Sequence, residues 1–170
     1  GANGSAGFNA SGSGGSMKFS IAGSEVGRFS SGGNLGINQN SPSQKLHVGG
    51  NAIITGYLEA NRLKSVQATV AANSSSTALD FGATNNFMVN MTADTTFSFS
   101  NLSSSIGCSG NIILVQDATG GRDFTLPSEA KTPIDGATIV QNTGANEISV
   151  LSYYVMSSSQ VLVNYIGDFA

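Results

Sequence analysis

Residues 28–58 read RFSSGGNLGINQNSPSQKLHVGGNAIITGYL, and this stretch limits the possible folds more than any other. Short apolar pairs (Leu35/Ile37, Leu46/Val48, Ile53/Ile54) alternate with corners rich in Gly, Asn and Ser. Each segment can bury only one or two apolar side chains, at about 25 cal/mol per Å². Ordering the corners costs about 1–2 kcal/mol per residue, so one copy of this ladder cannot hold itself together. Copies that wrap round one another would share a core and pair the strand edges that otherwise aggregate. The expectation is a self-associating β-rod, with architecture or attachment ahead of catalysis.

Composition agrees with a β-rich, turn-rich chain of one or two domains. Charged residues make up 10% of the 170, against roughly 25% in ordinary soluble domains, and Gly, Ser and Asn fill the gap. With 39% hydrophobic residues the chain lacks the signature of disorder, which needs few apolar residues and high net charge. A net charge of -3 and scattered Lys and Arg offer no phosphate-binding patch, so nucleic acid is not an expected partner. No apolar run approaches the ~20 residues of a membrane-spanning helix, and residues 1–16 lack the regions of a signal peptide. The chain begins at Gly1 rather than Met, as expected of the C-terminal piece of a longer polypeptide.

Along the chain, residues 1–16 are low-complexity Gly, Ser, Ala and Asn, readable as a flexible linker or as extended backbone threading into a rod. Residues 17–63 carry short strand signals: Met17-Lys18-Phe19-Ser20-Ile21 alternates with period two, and further short strands follow at 26–29, 35–37, 45–48 and 52–58. Gly32-Gly33-Asn34, Asn40-Ser41-Pro42 and Gly49-Gly50-Asn51 mark corners. Residues 58–70 are the one place a helix is arguable, with room for one or two turns, and 64–70 read as the connector between the two domains. Residues 71–170 form a denser β unit. Phe87, Val89 and Met91, then Thr95, Phe97 and Phe99 beyond Ala93-Asp94, predict a strand pair with aromatics on one face. Ile112-Ile113-Leu114-Val115 predicts a strand buried on both faces, and 148–156 with 161–166 a closing hairpin. Seven or eight strands in this span suit a β-sandwich or jelly-roll-like head.

Two patterns resemble phage fibre proteins. The segment GRFSSGGNLGINQNSPSQKLHVGGNAIITGYLEA is similar to a motif of bacteriophage tail fibres and related trimeric fibres, through Gly33, Asn34, Gly36, Ile37, Ser41, Pro42, Lys45, Leu46, His47, Val48, Gly50, Asn51, Gly56 and Leu58. It departs at Leu35, where the motif has Val, and at Asn38, which replaces a glycine at a corner calling for positive φ. The second half resembles a C-terminal fibre module through Leu79-Asp80, Asn86-Phe87, Thr95 to Asn101, Gln116 to Arg122 and the closing hairpin, without the tryptophans members often carry. The resemblance implies an all-β homotrimer: an intertwined, triple-β-helix-like shaft over 17–63, then a head over 71–170. Leu35, Ile37, Leu46, Val48, Ile53 and Leu58 would form the trimer core. It implies a non-enzymatic virion tail fibre that binds other tail proteins and a bacterial surface polysaccharide or outer-membrane component. A capsid- or neck-attached fibre without receptor binding, and the non-catalytic end of a polysaccharide-degrading tailspike, are the alternatives.

Each residue with chemical potential also has a plainer structural role. His47, the one histidine, could bind an ion on a trimer axis, but alternation between Leu46 and Val48 favours packing or an outward polar role. Asp117 and Asp123 could pair for glycoside hydrolysis, yet they flank the Thr119-Gly120-Gly121-Arg122 turn, where Asp caps backbone N–H groups. Gly32-Gly33-Asn34-Leu35-Gly36 lacks the Lys-Ser/Thr ending of a phosphate loop. Tyr57, Tyr153, Tyr154 and Tyr165 could stack on sugars, but adjacent Tyr153 and Tyr154 must point to opposite faces of a strand. Cys108, the single cysteine, is expected as a buried small hydrophobe, and the sequons at Asn9, Asn73, Asn90 and Asn101 follow from composition. No cofactor is expected.

Overall fold

The computed structural model describes residues 15–133 and 139–169, so most of the Gly/Ser-rich segment at 1–16, with Asn9, lies outside the described residues. The chain divides into two compact units, Gly1–Asn61 and Arg62–Ala170. In the first, β1 (Met17–Ile21) and β2 (Ser24–Phe29) form a hairpin. Its two-residue turn, Ala22-Gly23, takes φ of 49° and 80°, the positive values that match the twist of the flanking strands. β2 runs antiparallel to β3 (Leu35–Ile37), and β3 runs parallel to β4 (Leu46–Val48), giving the order β1-β2-β3-β4.

The β3–β4 corner is held by its own polar residues. Asn38 takes the positive φ, 51°, that its place in the corner calls for, and its Nδ2 donates to the Gly49 carbonyl at 3.0 Å. Asn34 Nδ2 donates to the Pro42 carbonyl at 3.0 Å, and Lys45 Nζ to the Gly32 carbonyl at 3.2 Å. The chain folds back so tightly that a Cβ at Gly36 would sit 2.2 Å from the Gln39 carbonyl oxygen. One at Gly49 would sit 2.3 Å from that of Asn38.

In the second unit the chain passes back and forth between two sheets. β5 (Gln67–Ala72), β7 (Asn86–Met91) and β9 (Ser109–Gln116) are parallel neighbours in one. β6 (Ser76–Asp80), β8 (Thr95–Ser100) and β10 (Phe124–Thr125) are parallel neighbours in the other. Each strand of one sheet thus serves as the crossover that parallel pairing in the other requires, giving three successive coils. β12 (Ile148–Ser157) then pairs antiparallel with β9 and forms a hairpin with β13 (Gln160–Phe169). β11 (Ala130–Lys131) completes a six-stranded sheet of order β11-β13-β12-β9-β7-β5.

One core lies between these sheets: Leu79 and Phe97 from the smaller, Phe87, Val89, Met91, Ile112, Leu114, Leu151, Tyr153, Val155, Val161 and Val163 from the larger. Phe81, on the connection from β6 to β7, meets rings from both: centroids lie 4.8 Å from Phe99, 5.5 Å from Phe87 and 4.8 Å from Tyr153. The buried hydroxyls of Thr77 and Thr95 satisfy each other at 2.8 Å.

The all-β expectation and the closing hairpin agree with this architecture, but several local expectations do not. Residues 49–66 hold no strand, so the one expected at 52–58 is absent; Ile53 is 92% exposed there, with no neighbouring strand to pair it. The stretch 58–70 forms no helix, and its last residues are already β5. The segments at 86–91 and 95–100 are not paired with each other: they lie in opposite sheets and face each other across the core. Alternation marks which side chains turn inward but not which strand lies alongside. The parallel coils also differ from the antiparallel ladders of a jelly roll. In the run 112–115, Ile112 and Leu114 are buried, whereas Ile113 and Val115 on the outer face are only partly covered.

Candidate functional site

The first unit has a sheet and no core. Among its described residues only Gly27 and Gly36 are buried, both backbone without side chains. The strand register explains where the apolar side chains went. Met17, Phe29, Leu35 and Leu46 pair across all four strands in one row, and Phe19, Gly27, Ile37 and Val48 in the next row of the same face. Phe29 and Ile37 are 43% and 46% exposed and Leu46 is 59% exposed. The row on the opposite face is Lys18, Arg28, Gly36 and His47. There Arg28 grips both carboxylate oxygens of Glu25, and Lys18 Nζ lies 3.7 Å from the same group. The hydrogen bond from Arg28 holds the Glu25 carboxyl below the usual range. One face is thus apolar and uncharged, the other charged.

Leu35, Ile37, Leu46 and Val48, four of the six expected core residues, share the apolar face. Ile53 and Leu58 lie in the strandless stretch after β4, both exposed. Met17, Phe19 and Phe29 join the face although sequence reasoning did not name them as core; the alternation at 17–21 carried the signal for the first two. His47 projects from the charged face, with its Nδ1 3.4 Å from the Ser43 backbone N–H and hydroxyl. Among the described residues no three His, Cys, Asp or Glu side chains gather as a metal site.

The carboxylates at 117 and 123 serve different ends. Asp117 accepts from the backbone N–H of Thr119 at 3.0 Å and of Gly120 at 2.8 Å, and from the Arg122 guanidinium at 2.9 Å. Arg122 foremost, then those N–H groups, hold its carboxyl below the usual range, the opposite of what a general acid requires. Gln116, buried beneath the turn, fastens it: Nε2 donates to the Arg122 carbonyl at 2.7 Å, and Oε1 accepts from the Arg122 N–H at 3.0 Å. Asp123 lines an open groove of about 600 Å³ with Phe124, Leu126, Ile139 and Gln141.

The tyrosines do not form one surface. Tyr153 is in the core and donates to the Asn85 carbonyl at 2.8 Å; burial foremost, with the nearby Cys108 thiol, pushes its pKa up to about 12. Tyr165 is partly buried, its oxygen accepting from the Asn142 N–H at 2.8 Å. Tyr154 points outward from the six-stranded sheet and Tyr57 is exposed in the first unit. Cys108 is only partly buried.

Comparison with known proteins falls on the second unit. No curated protein and no solved structure matches the chain. A family profile described as "Putative phage tail fibre C-terminal domain" matches residues 67–157, from the first residue of β5 to the last of β12. That match spans more than half of the 170 residues, so the chain belongs to the phage tail fibre C-terminal domain family and is a structural component of a virion tail.

Proposed function

We propose that the chain is a homotrimeric, non-enzymatic fibre module. Residues 17–63 form a shared shaft, and residues 71–170 form a head that attaches to the bacterial surface. The observation that carries this reading is the coreless sheet, with seven apolar side chains on one face and only glycine buried. A half-exposed Leu, Ile or Phe has about 1 kcal/mol still to gain from burial. Phe19, Phe29, Ile37 and Leu46 together then contribute about 3–6 kcal/mol per chain, on the scale of the lower estimates for the cost of association. Three apolar faces turned toward a common axis supply that burial and leave the Lys18–Arg28–His47 face in water. An axial ion at His47 has no support in this arrangement, because the imidazole lies on the outward face.

Three heads on one shaft would convert weak contacts with a repeating surface polysaccharide or outer-membrane component into avidity. Binding of the fluorescently labelled full chain to candidate host cells, with purified surface polysaccharide as competitor, tests attachment. Saturable, competed binding is expected. An assembled chain that binds no susceptible cell would favour a virion fibre without receptor contact, and release of reducing ends from the polysaccharide would overturn the non-enzymatic reading.

A further inference from the structure

The outer face of the six-stranded sheet carries an open hollow of about 370 Å³ where β11, β12 and β13 lie side by side. Two neighbouring rows of the sheet run into it. In one, Tyr154, Leu162 and Lys131 lie opposite one another on β12, β13 and β11. In the next, Ser152 on β12 lies opposite Asn164 on β13. Tyr154 and Leu162 are 46% and 45% exposed. The Ser152 hydroxyl donates to Asn111 Oδ1 at 2.8 Å, which leaves its oxygen lone pairs free to accept. The Asn164 side-chain amide has no hydrogen-bond partner among the described residues. Lys131 Nζ donates to the Ser128 carbonyl at 2.6 Å and forms no ion pair among the described residues. It is the one charged side chain among the described residues lining the hollow.

We propose that this hollow binds a uronate-bearing saccharide, with a sugar ring against Tyr154 and Leu162 and its carboxylate on Lys131. The inference rests on the attachment reading above and gives it a site and a ligand class. A sugar ring presents an apolar C–H face and an edge of hydroxyls, and the two rows match that pattern. An aromatic ring and an aliphatic side chain stand in one, an amide and a hydroxyl in the other. Lys131 selects for an anion. Its strand lies two strand spacings from that of Tyr154, about 10 Å, a span that its flexible stem shortens. A phosphate is best held by an Arg fork or by converging backbone N–H groups, and no Arg lines the hollow; a single ammonium suits a singly charged carboxylate. The volume lies at the low end of small-ligand pockets, roughly 300–1,000 Å³, as a site for one ring requires. A flat apolar protein surface seated here would instead bury the Asn164 amide and the Lys131 ammonium unpaired.

The test arrays alginate, polygalacturonate and surface polysaccharides purified from the candidate hosts, each native and with its carboxyls reduced to alcohols, beside a teichoic acid. Labelled full chain is applied to the array and, in parallel, to host cells. Binding to at least one uronate-bearing polymer is expected, falling at least about tenfold on carboxyl reduction and in Lys131→Met, and by a similar factor in Tyr154→Ala. Asn164→Asp sets a like charge before the carboxylate and should repeat the loss. All three substitutions fall on exposed side chains, so each variant should melt and sediment as the parent does. Polysaccharide binding that survives either carboxyl reduction or Lys131→Met would overturn the site and leave attachment standing. Binding to the teichoic acid alone, or to host cells but to no polysaccharide, would do the same. A chain that binds no susceptible cell and no polysaccharide would overturn attachment and this site together.

Discussion

Truncating Phe81 to alanine probes how the two sheets of the second unit are joined. The side chain is buried on the β6–β7 connection and touches three rings, Phe99 from the smaller sheet and Phe87 and Tyr153 from the larger. Buried Phe→Ala changes cost about 3–5 kcal/mol. Aromatic pairs are worth about 0.5–1.5 kcal/mol beyond their buried area, so three such neighbours place this site near the top of that range, at about 4–5 kcal/mol. A domain's whole stability is about 5–15 kcal/mol, so the variant should be close to unfolding at ambient temperature. Phe81→Leu keeps most of the apolar volume and should lose about 1–2 kcal/mol. The assay is a guanidinium titration of the full chain followed by far-UV circular dichroism, with all proteins at one concentration because assembly links stability to concentration. A loss below about 1 kcal/mol for Phe81→Ala, with an unchanged m-value, would refute the claim that Phe81 clamps the sheets.

Other consequences are equally measurable. Gln116→Leu removes both hydrogen bonds to the Arg122 backbone and should cost about 2 kcal/mol in the same titration, because the freed N–H and carbonyl are only partly reached by water. Tyr153 has a folded pKa raised to about 12 against about 10 when unfolded, so its contribution to stability is present below pH ~10 and lost as pH rises toward 12. Melting curves should therefore fall over that window, and Tyr153→Phe should flatten the fall. Glu25 and Asp117 have folded pKa values held below their unfolded values of about 4, so their stabilisation is present above that pH and fades as acid protonates them in the folded state. Asp117→Asn should reduce the acid dependence of the melting temperature, and an unaltered profile would mean the Arg122 contact does not stabilise the turn.

Where the sequence was legible, short-range physics decided the outcome. The hairpin of β12 and β13 could be read from two alternating runs around a four-residue polar loop, because both strands and their turn are contiguous. The corner chemistry around Asn38 could be read because only a few residue types accept positive φ. What could not be read was pairing at a distance. The residues of β7 and β8 announce inward faces by their alternation, yet nothing local says that the chain crosses to another sheet between them. The strandless course of 49–66 was hidden for a related reason, since Ile53, Ile54 and Leu58 show apolar character without naming what would cover it. For the candidate site, sequence reasoning found Leu35, Ile37, Leu46 and Val48 but not their neighbours in the rows, Met17, Phe19 and Phe29. Joining β1 to that face takes the register of the β1–β2 hairpin, and its Ala-Gly turn was a weaker signal than Asn-Gly would have been.

The central claim is that the apolar face of the four-stranded sheet is covered by two further copies of the chain. Sedimentation equilibrium of the full chain tests it most directly. The account predicts one species of about 52 kDa, three times the 17.2 kDa chain, persisting on dilution. A folded species of 17.2 kDa across the same concentrations would contradict it.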